Sequence, residues 1–284
     1  VRVVALIASY NERRFIGPCL AHLRTQGVES YLIDNGSTDE TVKIAEGFLG
    51  RGLIGIEQYP RDGFYDWRGL LRRKEEVAAE LARQREADWL IHLDPDEMRL
   101  APPGAGTLAE ALAAVDRSGY NAVNFLECTF VPSREEPDHD HPEFQRTLRT
   151  YYAFCPSFPH KLTAWKAADA AQPKLAPSGG HRVAFAALRM HPRSFPLMHY
   201  LLLSVPHAVE KYVERTYSRA EVEHGWHGWR AGLRAEDIRL PGRSELRLAE
   251  PGEELDVSEP RQRHLIEDLA RVPRPEPPPG SPVT

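Results

Sequence analysis

Asp94, Asp96 and Glu97 stand at the end of an apolar, strand-like run, Trp89-Leu90-Ile91-His92-Leu93, so that a buried segment breaks directly into three carboxylates able to face one cation. Such an oxygen-rich cluster suits a hard ion, Mg²⁺ or Mn²⁺, which keeps part of its shell for water and substrate phosphates. The Asp-x-Asp spacing has a geometric reason, because residues two apart in an extended segment project to the same side. Pro95 stiffens the turn between them. A solvated loop with a helix cap is the competing account, but like charges crowded together without a cation repel.

Positioning these acids requires a frame, and the first hundred residues supply its pattern. Val3-Val4-Ala5-Leu6-Ile7-Ala8 is a short continuous apolar run with β-branched residues, as expected for a strand covered on both faces in a parallel sheet. A helical pattern follows to about Gln26, with Phe15, Ile16, Cys19, Leu20 and Leu23 near one face, Pro18 in its first turns and Gly27 at its end. Tyr31-Leu32-Ile33 reads as a second strand, and Thr38 as the cap of a helix carrying Val42, Ile44, Ala45, Phe48 and Leu49. Leu53–Ile56 is a third strand. Asp66 to about Glu86 then places Trp67, Leu70, Leu71, Lys74, Val77, Ala78 and Leu81 at helical spacing. Alternating strands and helices predict right-handed crossovers building a parallel sheet, with ligands at the strands' carboxyl ends. Asn11-Glu12, Asp34 and the acidic cluster all fall at that edge.

Beyond Leu100 the pattern is less regular. Leu108–Val115 reads as a helix, Asn121–Leu126 as a strand, Pro132–Pro142 as a polar loop and Pro206–Tyr217 as another helix. From about Arg271 to Thr284 proline and glycine dominate, which predicts a flexible tail.

The chain has 284 residues and a formal net charge of -5, which argues against a globally basic nucleic-acid binder. Cys19, Cys128 and Cys155 are widely spaced and read as buried thiols rather than a zinc knuckle or redox pair, which points to a reducing cytoplasm. No apolar run approaches the roughly 20 residues that span a bilayer. Neither a G-x-G-x-x-G fingerprint nor a G-x-x-x-x-G-K-[ST] phosphate loop occurs, so a bound nucleotide would be held in another way.

Taken in order, Ala8-Ser9-Tyr10-Asn11-Glu12, Asp34-Asn35-Gly36-Ser37-Thr38-Asp39 and Asp94-Pro95-Asp96-Glu97 make the chain resemble family 2 glycosyltransferases of the A-type fold. Ser178-Gly179-Gly180-His181, then His199-Tyr200 with Ser204 and Lys211, then Gly225-Trp226-His227, is similar to a bacterial subgroup of that family. The resemblance implies an α/β, Rossmann-like sandwich with a mostly parallel central sheet and a less regular C-terminal portion. Residues 1–100 would be the nucleotide-sugar-binding half and 101–270 the acceptor-binding half of the same catalytic domain, with 271–284 as the tail.

By position, the resemblance implies that Ala8, Tyr10, Glu12 and Asp34 hold the nucleotide, with Asp34 accepting a hydrogen bond from a uracil-type imide. Asp94 and Asp96 would bind the cation, Mn²⁺ or Mg²⁺, with His199 completing its shell and Lys211 meeting the β-phosphate. Arg68 and Lys74 are the candidate phosphate cations from the helix before the acidic strand. The competing accounts are an Asx-turn at Asp34, a helix-dipole role for Asp39, a snorkelling Lys74 and a hydrogen-bonded core histidine at His199. His181 follows two glycines that allow close backbone approach and reads as an acceptor-side residue, while His227 reads as structural. Trp165, Trp226 and Trp229 are more commonly core than sugar platforms.

The activity implied is a metal-dependent, inverting transfer of a sugar from a nucleoside-diphosphate donor, UDP-linked by the family's most frequent choice, with Asp96 central to it. The acceptor is open among a glycan, a lipid-linked molecule and a small molecule. The general base is open among Glu97, Glu127, Glu135, Glu136, Asp138 and Asp140, of which Glu97 and Asp138 are the candidates carried forward. A nucleotidyltransferase and a catalytically inert sugar-nucleotide or glycan-binding module are the rival readings. The expected setting is the cytoplasm or the inner face of a membrane, with neither a nucleic-acid partner nor a transmembrane segment.

Overall fold

The computed structural model describes residues 1–61, 63, 66–215 and 233–270. Its centre is β1 (Val3–Ser9), buried along its whole length. Val3, Ala5 and Ile7 enter one apolar layer and Val4, Leu6 and Ala8 the other, the two-residue alternation of a strand covered on both faces. β2 (Val28–Asp34), β3 (Leu53–Gln58) and β4 (Trp89–Leu93) join it in parallel in the order β4-β1-β2-β3. The register sets Ser9 beside Asp34 and Ile7 beside Leu93, so the carboxyl ends of β1, β2 and β4 lie at one edge.

Helices α1 (Ile16–Thr25), α2 (Thr41–Glu46) and α3 (Trp67–Gln84) make the crossovers. The Asp66 side chain caps α3 by accepting from Gly69 N–H at 2.9 Å, a bond of the kind that contributes about 1 kcal/mol. Trp67, Leu70, Leu71, Lys74, Val77, Ala78 and Leu81 are its buried face. α2 is shorter than its apolar pattern suggests. Thr38 does not cap it, because the Thr38 N–H is taken by Asn11 Oδ1 at 2.8 Å and the N-cap is Glu40. Asp39 shapes this turn instead, accepting from Thr41 N–H at 2.9 Å and from Arg13 N–H at 3.2 Å.

Past α4 (Leu108–Arg117), which Thr107 and Glu110 start with a reciprocal capping box, the same sheet continues. β6 (Ala122–Phe130), β7 (Thr150–Phe154), β8 (Lys161–Lys166) and β10 (Arg247–Leu248) extend it through an antiparallel β4–β8 pair. β5 (Glu97–Arg99) pairs with β9 (Phe195–Tyr200), which runs parallel to β6. Followed through these pairings, β1, β2, β3, β4, β6, β9 and β10 point one way and β5, β7 and β8 the other, giving a mixed α/β fold around a mostly parallel sheet.

The β6 strand outruns the expected Asn121–Leu126, and β5, β7, β8, β9 and β10 were not legible one by one. Trp165 is fully buried on β8 and is core. After the one-turn α5 (Phe144–Thr147), α6 (Val205–Tyr212) begins at Ser204, whose hydroxyl accepts from His207 N–H at 3.1 Å. No helix among the described residues is long and apolar enough to cross a membrane. Gly225, Trp226, His227, Trp229 and the tail 271–284 lie outside the described residues.

Candidate active site

The carboxyl edge of the sheet opens into a cleft of about 460 Å³. β1 sends Ala8, Tyr10 and Glu12 to it, and the turn after β4 sends Asp94, Asp96 and Glu97. The C-terminal half closes it with Glu127 from β6, His160 and Lys161 at the start of β8, His181 from the two-glycine loop, His199 from β9, and Lys211 and Arg215 from α6 and its end. Asn11 fastens the β1 loop to the β2 loop in a left-handed conformation (φ 54), which asparagine tolerates, and takes Ser37 Oγ on its N–H at 2.9 Å.

Asp96, Glu127 and Glu97 are each met by a basic side chain. Lys211 Nζ donates to Asp96 Oδ2 at 2.5 Å, and His199 Nε2 lies 3.4 Å from the same oxygen. His199 Nδ1 is 2.7 Å from Glu127 Oε1, and Glu127 Oε2 is 3.4 Å from His160 Nε2. Lys211, Asp96, His199, Glu127 and His160 therefore form one row of alternating charge and imidazole across the cleft. Beneath it, Glu97 accepts from Lys161 at 2.6 Å and from Arg99 at 2.9 Å.

The electrostatics follow from this order. Burial alone would raise the Asp96 carboxyl, but Lys211 and His199 hold it well below the usual range. Burial would likewise depress His199, yet Glu127 and Asp96 on either side raise it to about 9, so its ring is a cation at neutral pH. Glu97, against the pull of burial, is drawn down to about 2 by Arg99 and Lys161. Glu12 is pushed up to about 7 by burial, with Arg215 opposing. Asp94 is raised by burial and by the Glu97 charge, and its carboxylate has no hydrogen-bond partner among the described residues.

Of the residues singled out in the sequence, Ala8, Tyr10, Glu12, Asp94, Asp96, Glu97, His199 and Lys211 line this cleft. Asp34, Lys74, Arg68 and Asp138 do not. Asp34 is fully buried, its carboxylate accepting from Ser9 Oγ at 2.9 Å, Ser37 Oγ at 2.6 Å and Ser37 N–H at 2.9 Å, so both oxygens are engaged in shaping the turn. Lys74 is buried below the floor, donating to His92 Nδ1 at 2.9 Å and to the Leu93 carbonyl at 3.1 Å. Arg68 is exposed on α3, and Asp138 is exposed on its loop, where it accepts Asp140 N–H at 2.9 Å.

Sequence reasoning passed over Arg61, His160, Lys161 and Arg215. The Arg61 guanidinium stacks 3.5 Å from the Tyr10 ring centroid, and Arg215 Nη2 reaches Glu12 at 3.4 Å. None of these has a local signal, since each is brought in by pairing or loop closure over a long sequence separation. Gly179-Gly180 does carry one. Trp67 Nε1 donates to the Gly179 carbonyl at 2.9 Å, and Gly180, at φ +91, would put a Cβ 2.8 Å from His92 Nε2. This contact admits only glycine and presses the His181 loop onto the sheet.

Among the described residues, no group of three or more His, Cys, Asp or Glu side chains converges as a ready metal cage. Such a cage is not required for Mg²⁺ or Mn²⁺, which are commonly held by one or two carboxylates together with substrate phosphates. The carboxylates of Asp94 and Asp96 suit such an ion, and His199 would join them only on giving up the proton that its Nε2 turns toward Asp96. The cleft's acids, Glu12, Asp94, Asp96, Glu97 and Glu127, are matched by Arg99, Lys161, Arg182, Lys211 and Arg215, leaving little positive surplus for a diphosphate.

Residues 4–65 match the family model described as Glycosyl transferase family 2. Among solved structures the chain is similar to S. aureus TarS 1-349, with 14% identity and a TM-score of 0.44 over 70% of this chain and 60% of that one. It is similar to the same TarS segment in complex with UDP at 12% identity, TM-score 0.44, over 78% and 68% of the two chains. It is also similar to the mannosyltransferase PcManGT from Pyrobaculum calidifontis in complex with GDP-Man and Mn2+, at 17% identity and TM-score 0.39 over 78% and 67%. The chain spans 41% of the length of the longer S. aureus TarS chain. No curated protein matches it.

Proposed function

We propose that the chain is a glycosyltransferase of family 2, whose model matches residues 4–65, and that it moves a sugar from a nucleoside-diphosphate donor to an acceptor by a single inverting displacement that depends on Mn²⁺ or Mg²⁺. The observation that carries this reading is the meeting of Tyr10 and Glu12, from the end of β1, with Asp94 and Asp96, from the end of β4, in one cleft that also receives Lys211 and Arg215. Its volume of about 460 Å³ is of the size that encloses one small ligand.

In this reading Tyr10, with Arg61 on its ring, marks the nucleobase end, and uridine is the base that the family resemblance names. Asp94, Asp96 and His199 would hold the cation. When bound, that ion supplies charge neutralisation to the departing diphosphate, which is typically a large part of catalysis. Lys211 and Arg215 add fixed positive charge at the same end. In the free enzyme Lys211 neutralises Asp96, so this ammonium is already desolvated and aimed where the phosphates arrive. The acceptor enters from the side of His160 and His181 and attacks the anomeric carbon opposite the leaving group. Glu97, tied to two cations, is a weak base, and the exposed Asp138 is not among the lining residues. A glycan, a lipid-linked molecule and a small hydroxylic molecule remain the acceptor classes, and the cytoplasm or a membrane's inner face the setting.

Calorimetric titration with UDP, GDP and dTDP, with and without Mn²⁺, tests the donor reading. Saturable binding of one nucleotide, strengthened by the ion, is expected. No binding of any of them under either condition sinks the reading.

A further inference from the structure

Lys211 stands at the place on Asp96 that a divalent cation would need. Its Nζ donates to Asp96 Oδ2 at 2.5 Å and to the Leu201 carbonyl at 3.0 Å, with the Tyr212 and Phe15 rings 5.6 and 5.8 Å away. The pair is shielded, the two side chains being 11% and 8% exposed. His199 Nε2 lies 3.4 Å from the same oxygen. Of the two carboxylates that suit the ion, only that of Asp94 is without a hydrogen-bond partner among the described residues.

The helix that carries Lys211 is firmly held. Ser204 caps α6, Tyr212 Oη donates to the Leu201 carbonyl at 3.1 Å, and Glu210 meets Arg14 at 2.9 Å, which in turn meets Asp140 at 2.8 Å. What can move is the flexible four-carbon stem of Lys211, which carries the ammonium without disturbing the helix. An ammonium and a divalent cation on one carboxylate oxygen repel, and burial leaves little water to screen them. The cleft as a whole has the same preference. Its acids are already matched by its lysines and arginines, so a divalent cation arriving alone leaves a positive excess and a diphosphate alone a negative one. The two together nearly cancel.

We infer that Lys211 is an internal counter-ion that keeps the divalent cation off Asp96 until a diphosphate draws the ammonium away, so that ion and nucleotide load together. The inference rests on the donor reading above and adds to it the order of loading. Arriving phosphate oxygens offer the ammonium a new partner inside the cleft. Asp96 is then released to the ion, and each charge keeps a counter-charge throughout the exchange. By linkage, ion and nucleotide raise each other's affinity by the same factor.

The test measures Mn²⁺ uptake directly, from the loss of its free-ion paramagnetic resonance signal, on the whole chain with and without UDP or GDP. Wild type is expected to bind Mn²⁺ alone at least about 10-fold more weakly than with nucleotide, within the usual range of coupling between sites. Direct bonds from the ion to phosphate contribute to that factor, so the variants decide. Lys211→Met and Lys211→Gln remove the ammonium and keep the stem, and they are expected to bind Mn²⁺ alone about 10-fold more tightly than wild type, with a smaller gain from nucleotide. Lys211→Arg keeps the charge and should stay near wild type. Because both neutral variants leave Asp96 buried without its counter-ion, Mn²⁺ alone should also raise their thermal midpoints by more than it raises that of wild type. This second readout serves for a variant that folds poorly without the ion. Neutral variants that take up Mn²⁺ alone no more tightly than wild type, with no larger rise in midpoint, overturn the assignment. Wild type that binds Mn²⁺ equally with and without a bound nucleotide overturns it too. Failure of the wild type to bind any nucleotide overturns the donor reading, while Mn²⁺ uptake by the neutral variants still judges the role of Lys211.

Discussion

The two sides of the cleft are built by different means. On the side proposed for the donor, Tyr10, Glu12, Asp94 and Asp96 follow directly from the ends of parallel strands, so their convergence is a property of the crossover topology. On the opposite wall His160, His181, His199 and Lys211 come from the start of one strand, a glycine-pinned loop, the end of another strand and a short helix. The first side places acids by local pattern, and the second places imidazoles and an ammonium by long-range pairing. The contrast teaches where charge is set: Asp96 is held ionised, against burial, by Lys211 and His199 of the other half.

The sharpest break of this comparison is Asp96→Asn against Asp138→Asn. The first removes the hinge between the halves and should cost about 10²–10³-fold in donor turnover at saturating Mn²⁺, the scale of losing one electrostatic stabiliser. The second alters an exposed carboxylate whose side chain accepts only from Asp140 N–H, and it should leave turnover unchanged. Equal losses in hydrolysis assays would return Asp138 to the cleft and remove the distinction.

A smaller effect separates the two buried lysines. Lys74, facing the neutral His92, is lowered by burial from 10.5 to about 8, whereas Lys161, against burial, is raised by Glu97. Between pH 8 and 10.5 the unfolded chain holds a proton on Lys74 that the folded chain has released. Stability from this group therefore rises with pH across that window, by up to about 3 kcal/mol in total. Lys161 works in the opposite sense, its contribution being present below its unfolded value and lost as pH climbs through its folded one. Urea titrations across the window should show the upward component in wild type and its loss in Lys74→Met. An unchanged slope would mean that Lys74 stays charged in the fold.

Smaller still, Gly180→Ala should destabilise by about 1–3 kcal/mol through crowding and backbone strain. Its Cβ would sit 2.8 Å from His92 Nε2, while at Gly104, equally left-handed at φ +78, a Cβ meets open space. Gly104→Ala should cost only the backbone part, about 1–2 kcal/mol. The difference in urea midpoint measures how tightly the His181 loop is pressed onto the α3 and β4 side of the sheet. Equal midpoints would show that loop to be loosely seated.

How much of this was legible beforehand divides along the same line. β1, β4 and α3 announce themselves, because a fully covered strand is a continuous apolar run and an amphipathic helix repeats its apolar residues at helical spacing. The β5, β7, β8 and β9 strands do not, being short and defined by partners far along the chain. Among site residues, the position of Asp96 at a strand end could be read from its own neighbours. Asp34 shows the limit: its motif is plain, yet only the coordinates reveal that Ser9 and Ser37 already occupy both carboxylate oxygens. Nothing near His160 in the sequence Phe158-Pro159-His160-Lys161 hints that its ring will face Glu127.

By itself the sequence determined the alternation of elements, the acidic break after β4 and the glycines on which the His181 loop depends, since periodicity, chain reversal and backbone freedom are properties of neighbouring residues. Tertiary structure alone decided which cation meets which acid and which carboxylates are already engaged. Those are outcomes of distance and desolvation, and they exist only once segments remote in the chain have come within a few ångströms of one another.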